Sequence, residues 1–271
     1  MSFLDAIQSE KRREVVSKRA AMSFDDLRTR VQDVAPARDF HAAVARRGAV
    51  IAELKARTPT IESFTQSGSL VELAAVYASN GAAAISIVAD PARFGTSYRD
   101  VARVRDAVNL PVLAKDFVVD PYQLLEARAS GADAVLLIVR LLELEELRNL
   151  VAFARELGME ALVETHAESE VLAALAADAR VVGINNRDLD TMIVSLDTTR
   201  RLAHLVPEEI VLVSESGIVT RDDVADLTSR GARAFLVGGS LLGSEDPGAL
   251  LRDFVEAARG PSGLRSKRVP R

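Results

Sequence analysis

Glu53 and Lys55 stand two residues apart at the end of a short apolar run, Ile51-Ala52-Glu53-Leu54-Lys55. Four more runs end in the same manner: Pro111-Val112-Leu113-Ala114-Lys115, Ala161-Leu162-Val163-Glu164, Gly183-Ile184-Asn185-Asn186-Arg187 and Ser214-Glu215-Ser216-Gly217. In an extended strand, side chains two apart share a face, so Glu53 and Lys55 point together while Ala52 and Leu54 point the other way. Any one of these charged groups read alone is as well explained by a structural ion pair. Five apolar runs closing on lysine, carboxylate or amide are harder to explain as packing, because an ionisable group at the end of a buried strand is costly unless it lines a site. The chemistry such a set suits is proton transfer. Burial and neighbouring charges can move each pKa toward neutrality, so that a lysine can donate while a glutamate accepts.

These runs belong to a longer alternation. β-Branched stretches recur near 49–55, 83–88, 111–115, 134–139, 161–164, 181–185, 210–214 and 234–237, with amphipathic segments between them, among them 71–79, 121–130, 144–157, 168–176, 198–205 and 221–230. Gly81, Gly131, Gly158 and Gly231 fall where a left-handed residue would end a helix. Strands that alternate with helices pair in parallel and are covered by helices. A closed barrel and an open doubly wound sheet both satisfy that. The count of eight, the even spacing and the lack of a glycine-rich dinucleotide turn after the first strand predict the barrel, a (β/α)8 TIM barrel with an N-terminal helical extension. The expected boundaries are 1–48 for that extension, packed on the barrel, 49–258 for the catalytic barrel, and 259–271 for a basic tail expected to be disordered. Within the extension, Leu4, Ile7, Val15 and Val16 are expected to share one face, a second helix to run from Phe24 to about Val34, and a third to end near Arg47.

The 271 residues fit one large domain, and an apolar share of 48% with only 4% aromatics and no Trp leaves the core to Ala, Val, Leu and Ile, as a barrel interior prefers. A net charge of -5 argues against a general nucleic-acid partner. No apolar stretch is long enough for a membrane span, and the N-terminus does not read as a signal peptide, so the expected location is the cytoplasm. The absence of cysteine excludes thiol chemistry, and three scattered histidines leave little for a metal site. Of those three, His166, two residues past Glu164, reads either as a proton shuttle or, the favoured reading, as an exposed loop residue before the solvated start of a helix, and His41 and His204 are given no role. Small residues after the last two strands, Ser216-Gly217-Ile218 and Val237-Gly238-Gly239-Ser240, stand where barrels of this kind hold a phosphate on backbone N–H groups. The expected partner is therefore a small phosphorylated molecule, with neither nucleic acid nor membrane; no protein partner is indicated.

The chain resembles the indole-3-glycerol phosphate synthase family over roughly residues 4 to 258. The resemblance is carried by Ile-Ala-Glu-Leu-Lys (51–55), Pro-Val-Leu-Ala-Lys-Asp-Phe (111–117), Tyr-Gln (122–123), Gly-Ala-Asp-Ala-Val-Leu-Leu-Ile (131–138), Leu-Val-Glu (162–164), Gly-Ile-Asn-Asn-Arg-Asp-Leu (183–189) and Ser-Glu-Ser-Gly-Ile (214–218). It implies a carboxy-lyase of tryptophan biosynthesis, working without a cofactor, that closes the ring of 1-(o-carboxyphenylamino)-1-deoxyribulose 5-phosphate with loss of CO2 and water. Carried over by position, Lys115 would be the general acid at the ribulose carbonyl, and Lys55 would hold the anthranilate carboxylate and share in proton donation. Glu164 would serve the later dehydration, as base or acid, and Glu53 would orient the lysines. Asn185, Arg187, Glu215 and Ser216 would line the ribulose chain, Phe94 would stack on the aromatic ring, and Thr58, Gly217, Gly238 and Gly239 would cradle the phosphate.

Two stretches depart from the family pattern. Thr58-Pro59-Thr60-Ile61-Glu62 replaces the usual Ser-Pro-Ser-Lys-Gly, and Ala89 and Arg93 replace a Thr and an aromatic residue in the loop after the second strand. Two other readings accommodate those changes: a paralogue acting on a modified anthranilate-ribulose phosphate, and a barrel that binds a phosphorylated metabolite without turning it over.

Overall fold

β-Branched and aliphatic runs too short for helices form eight strands, each hydrogen-bonded in parallel to its sequence neighbours, with the eighth returning to the first to close a barrel. The structure, a computed structural model, describes residues 3–57 and 69–260. The strands are β1 (Ala49–Leu54), β2 (Ala84–Val88), β3 (Val112–Lys115), β4 (Ala134–Ile138), β5 (Glu160–Thr165), β6 (Val181–Asn185), β7 (Val211–Glu215) and β8 (Ala234–Val237). This is the architecture expected from the alternation, with strand ends shifted by a residue or so. The alternation of side-chain direction along each strand divides the apolar residues into two populations. Ala52, Leu54, Ile85, Val163 and Val182 face the surrounding helices. Ile51, Ala84, Leu113, Leu136, Leu162, Val213 and Leu236 fill the barrel interior.

Most connections follow the sequence cues. Gly81, Gly131, Gly158 and Gly231 all take positive φ after a helix, where a side chain bearing Cβ would be strained. The helix at Leu70–Ser79 opens with a reciprocal capping box between Ser69 and Glu72, and that at Pro247–Arg259 with Asp246 capping Ala249 ahead of Pro247.

Before the barrel lie α1 (Phe3–Ala21), α2 (Phe24–Gln32) and α3 (Phe40–Val44). Leu4, Ile7 and Val15 are buried as a helical stripe requires, but Val16 is 70% exposed, because its direction lies beyond the stripe's edge. One of the most deeply buried residues of α1 is charged. Lys11 is 3% exposed, with its ammonium 2.9 Å from Asp116 at the end of β3 and 3.5 Å from Asp90 at the end of β2. Glu10 on the same helix pairs with Arg93, which also holds Asp90. Helix α1 is therefore pinned to the same end of the barrel at which the charged strand ends gather. Among the described residues, no helix is long and apolar enough to cross a membrane.

Candidate active site

Glu53, Lys115, Glu164 and Glu215 come from β1, β3, β5 and β7, the four odd-numbered strands. In barrels of this type, interior side chains stack in layers of four drawn from alternate strands, usually branched and apolar. Here the uppermost layer consists entirely of ionisable residues. The Lys115 ammonium is its hub, 3.4 Å from Glu53 Oε2, 3.5 Å from Glu215 Oε2 and 3.8 Å from Glu164 Oε2. Lys55, one position past β1, places Nζ 2.6 Å from the other Glu53 oxygen. Glu53 thus holds one lysine on each oxygen.

The four groups do not share charge equally. Burial opposes ionisation of Glu53, yet Lys55 and Lys115 outweigh it and hold its pKa at about 2. Burial likewise opposes the charge on Lys115, but Glu53, Glu215 and Glu164 raise it well above the usual ammonium range. Glu164 is held down by His166, Lys115 and an Asn185 amide donating to Oε1 at 3.1 Å. Glu215 moves the opposite way. It is wholly buried, its two oxygens lack a hydrogen-bond partner among the described residues, and repulsion from Glu164 adds to burial, so its pKa rises to about 8. At neutral pH the layer therefore holds two carboxylates, one protonated carboxyl and one ammonium group, with Glu164 and Glu215 titrating as a coupled pair.

Two glycines make room for this layer. A Cβ on Gly183 of β6 would collide with Glu215 Oε1, and one on Gly238 would lie 2.6 Å from Glu53 Oε1. Gly238, expected in a phosphate cradle, makes room for the Glu53 carboxylate. Gly183 is a functional position that reading the sequence overlooked; its signal is a glycine placed where the strand period points inward.

Asn186 was also overlooked. It donates from Nδ2 to Ser214 Oγ and to the carbonyls of Glu215 and Ser216, and its Oδ1 accepts from the N–H and hydroxyl of Thr199. These bonds hold Ser216 at φ 64°, an uncommon conformation for a residue with Cβ, beside Gly217 at φ 78°. Ser240 Oγ donates to the Ile218 carbonyl at 2.6 Å and ties the turn after β7 to the turn after β8. The two halves of the expected phosphate cradle, Gly217 on one side and Gly238 and Gly239 on the other, are therefore tied to each other. A Cβ on Gly239 would meet nothing within 4 Å, which leaves this side of the rim open.

Of the remaining expected residues, Phe94 is half-buried, and its carbonyl accepts from the N–H groups of Ala56 and Arg57, so the turn after β2 is stitched to the end of β1. Arg187 is not brought to the charged layer: its guanidinium bonds the Met192 carbonyl of its own loop at 3.4 Å, while its N–H orients Asn185. Thr58, and with it Ile61 and Glu62, lies outside the described residues. His166 corrects the expectation of an exposed loop. Strand β5 continues past Glu164 to Thr165, and His166 is 7% exposed, wedged between Glu164 and Glu170.

Among the described residues, no group of three or more His, Asp or Glu is arranged to hold a metal ion. What the rim offers is cations and carboxylates of one chain, set for anion binding and proton exchange.

Comparison with known proteins shows what the chain is similar to. A sequence model of the family described as indole-3-glycerol phosphate synthase matches residues 4–254. The chain is 47% identical over 256 residues to the indole-3-glycerol phosphate synthase of a Nocardioides species, covering 93% of this chain and 97% of that protein. Identity is 44% with the Kineococcus radiotolerans protein of the same name, over 97% of this chain and 98% of the other. The Roseiflexus castenholzii protein, also so named, is 45% identical over 93% of this chain and 98% of its own length. In fold alone, thiamine phosphate pyrophosphorylase from Pyrococcus furiosus is similar, with a TM-score of 0.62 at 16% identity, over 82% of this chain and all of that one.

Proposed function

The chain belongs to the indole-3-glycerol phosphate synthase family, and from that premise we propose how its rim divides the work of ring closure. The substrate is 1-(o-carboxyphenylamino)-1-deoxyribulose 5-phosphate. The observation that supports this reading best is the ring of Glu53, Lys115, Glu164 and Glu215 with Lys55 at its edge. A binder of phosphorylated metabolites needs a cradle, whereas four buried ionisable groups in contact are costly and suit proton transfer.

In the first step, the ring carbon that bears the carboxylate attacks the C2 carbonyl of the ribulose chain, and the carbonyl oxygen takes a proton from Lys115. The alkoxide forming there is a strong base, so an ammonium held above its ordinary range still donates to it. Lys55 holds the substrate carboxylate until CO2 leaves from the same ring carbon and aromaticity returns. In the second step, the new hydroxyl leaves as water and a proton leaves the adjacent carbon, which completes the indole. Glu164, kept ionised by its neighbours, is the base for that proton. Asn185, Ser216 and Glu215 line the ribulose chain, with Arg187 at the loop beyond them, and Phe94 stacks on the aromatic ring. Gly217, Gly238 and Gly239 hold the phosphate together with Thr58.

Formation of indole is readily followed by fluorescence because the protein has no Trp. Purified protein with the substrate should develop indole emission, and Lys115→Ala should lower kcat by at least ~100-fold, the usual scale for removing a placed general acid. A Lys115→Ala variant that retains most of its kcat rules out the role. No emission from the parent protein rules out the reaction.

A further inference from the structure

We propose that His166 is a positioning residue: a buried imidazolium that fixes Glu164 as a carboxylate and turns one defined oxygen of it toward the substrate. The inference rests on Glu164 acting as the base, and adds how that base is held in place.

The geometry begins at Glu164. Its Oε1 accepts from the Asn185 amide at 3.1 Å and faces His166 Nε2 at 3.3 Å, while Oε2 turns to Lys115. The His166 contact is a charge contact off the line of a hydrogen bond, since Nε2 is otherwise unpartnered. On its far side, the imidazole meets a second carboxylate. Glu170, in the first turn of the helix Glu168–Ala176, puts Oε2 3.2 Å from Nδ1, and the same oxygen accepts from the His166 N–H at 2.7 Å. Glu170 Oε1 accepts from Arg140 Nε at 2.7 Å, and Arg140 lies 3.6 Å from Asp190 in the loop after β6. A line of alternating charge therefore runs from the half-exposed Asp190, through Arg140, Glu170 and His166, to the buried Glu164.

Charge count explains why a cation is needed there. The layer and its edge contain three carboxyl groups, Glu53, Glu164 and Glu215, against two ammonium groups, Lys55 and Lys115. Lys115 is divided among all three, so Glu164 in this setting would share its fate with Glu215 and take up a proton. A second cation at Glu164 alone breaks the symmetry between them. The imidazole also faces carboxylates on both nitrogens, which favours its charged form; burial works against that form, and its pKa nevertheless stands at about 9. The groups that face the pair are Lys115 from β3, Asn185 from β6, Glu215 from β7, and Glu170 with Arg140 on the outer side.

The test uses the whole chain. Its three histidines allow the His166 imidazole to be assigned in nitrogen-resolved NMR as the resonance lost in His166→Gln. It should remain charged past pH 8 and titrate near about 9, and Glu164→Gln should lower that midpoint by about a unit or more, because coupling between two sites is reciprocal. Titration near the ordinary imidazole value of about 6.5, or a midpoint indifferent to Glu164→Gln, overturns the proposal without any assay of turnover. In kinetics, His166→Gln should move the acid limb of the kcat profile up by about one pH unit and lower plateau kcat severalfold, with KM nearly unchanged. An unmoved limb and plateau also overturn it. Glu164→Gln serves as the control for the underlying reading. If that variant turns over normally, the role of Glu164 as base is wrong; if it is inactive while His166→Gln matches the parent, only the role of His166 fails.

Discussion

Glu215 illustrates how a single carboxyl can work against the stability of the protein that depends on it. Folding raises its pKa from the ordinary glutamate range to about 8, through burial and the charge of Glu164. Between those two values the folded protein binds a proton that the unfolded chain has released, so stability falls as pH rises, and the loss is complete above about 8. Glu215→Gln removes this dependence. Its melting temperature should exceed that of the parent by little at pH 5 and by on the order of 5 °C at pH 8.5, as differential scanning calorimetry would show. A difference that does not change with pH would mean that Glu215 is ionised in the folded protein. Gln at this position would be expected to bring lower activity with the higher stability, since the trade between a strained site and a stable fold is general. Burial of this kind is a tertiary property. The sequence marks Glu215 as a rim residue, but only the collision of a Gly183 Cβ with its oxygen shows how closely the barrel encloses it.

At the level of elements, α1 is fastened to the barrel by ions as well as by grease. Lys11 is enclosed by Asp116, Asp90 and Glu14, and Tyr98 donates its hydroxyl to Asp116 at 3.1 Å. Lys11→Met would fill the space but leave two buried aspartates short of a cation, a change that costs about 3 kcal/mol when a buried pair loses one partner. Urea unfolding should record that loss, and kcat should fall as well, because Asp116 is bonded to the chain directly after Lys115. A variant as stable as the parent would show that the remaining donors, Arg93, the Tyr98 hydroxyl and the Phe117 N–H, satisfy both aspartates. Elements such as β4 and the helix Glu168–Ala176 are legible in the sequence because one dominant pattern marks each. The helix Tyr98–Ala107 is less so, since only Val101 and Val104 are buried among arginines and aspartates. His166 escapes notice for a related reason: the strand runs on to Thr165, and the chain then turns inward, guided by an i to i+4 bond to Glu170 that apolar periodicity does not register.

For the whole molecule, the barrel order follows from the alternation of strand and helix, and the site follows from which residue ends each strand. The count and spacing of those segments predict closure; what no single strand reveals is which side chains closure brings face to face, those of β1, β3, β5 and β7. Acid should expose this dependence. Glu53 and Glu164 have folded pKa values depressed below the glutamate range, so the stability they contribute is fully present above about 4.5 and is lost as pH falls through about 2. The melting temperature should therefore drop steeply below pH 4, and Glu53→Gln, which lacks one of these carboxylates, should drop less steeply. Equal slopes would place the acid-sensitive groups elsewhere in the protein.

The uppermost interior layer has another consequence, which is combinatorial. A barrel of eight strands offers four addresses in that plane, one per odd strand, and here every address is taken by an ionisable side chain. A fifth group can arrive only from beyond a strand end, as Lys55 does. Any new reaction on this rim must therefore exchange occupants at fixed addresses, since it cannot add to them, and a change of chemistry would show first as a substitution among Glu53, Lys115, Glu164 and Glu215.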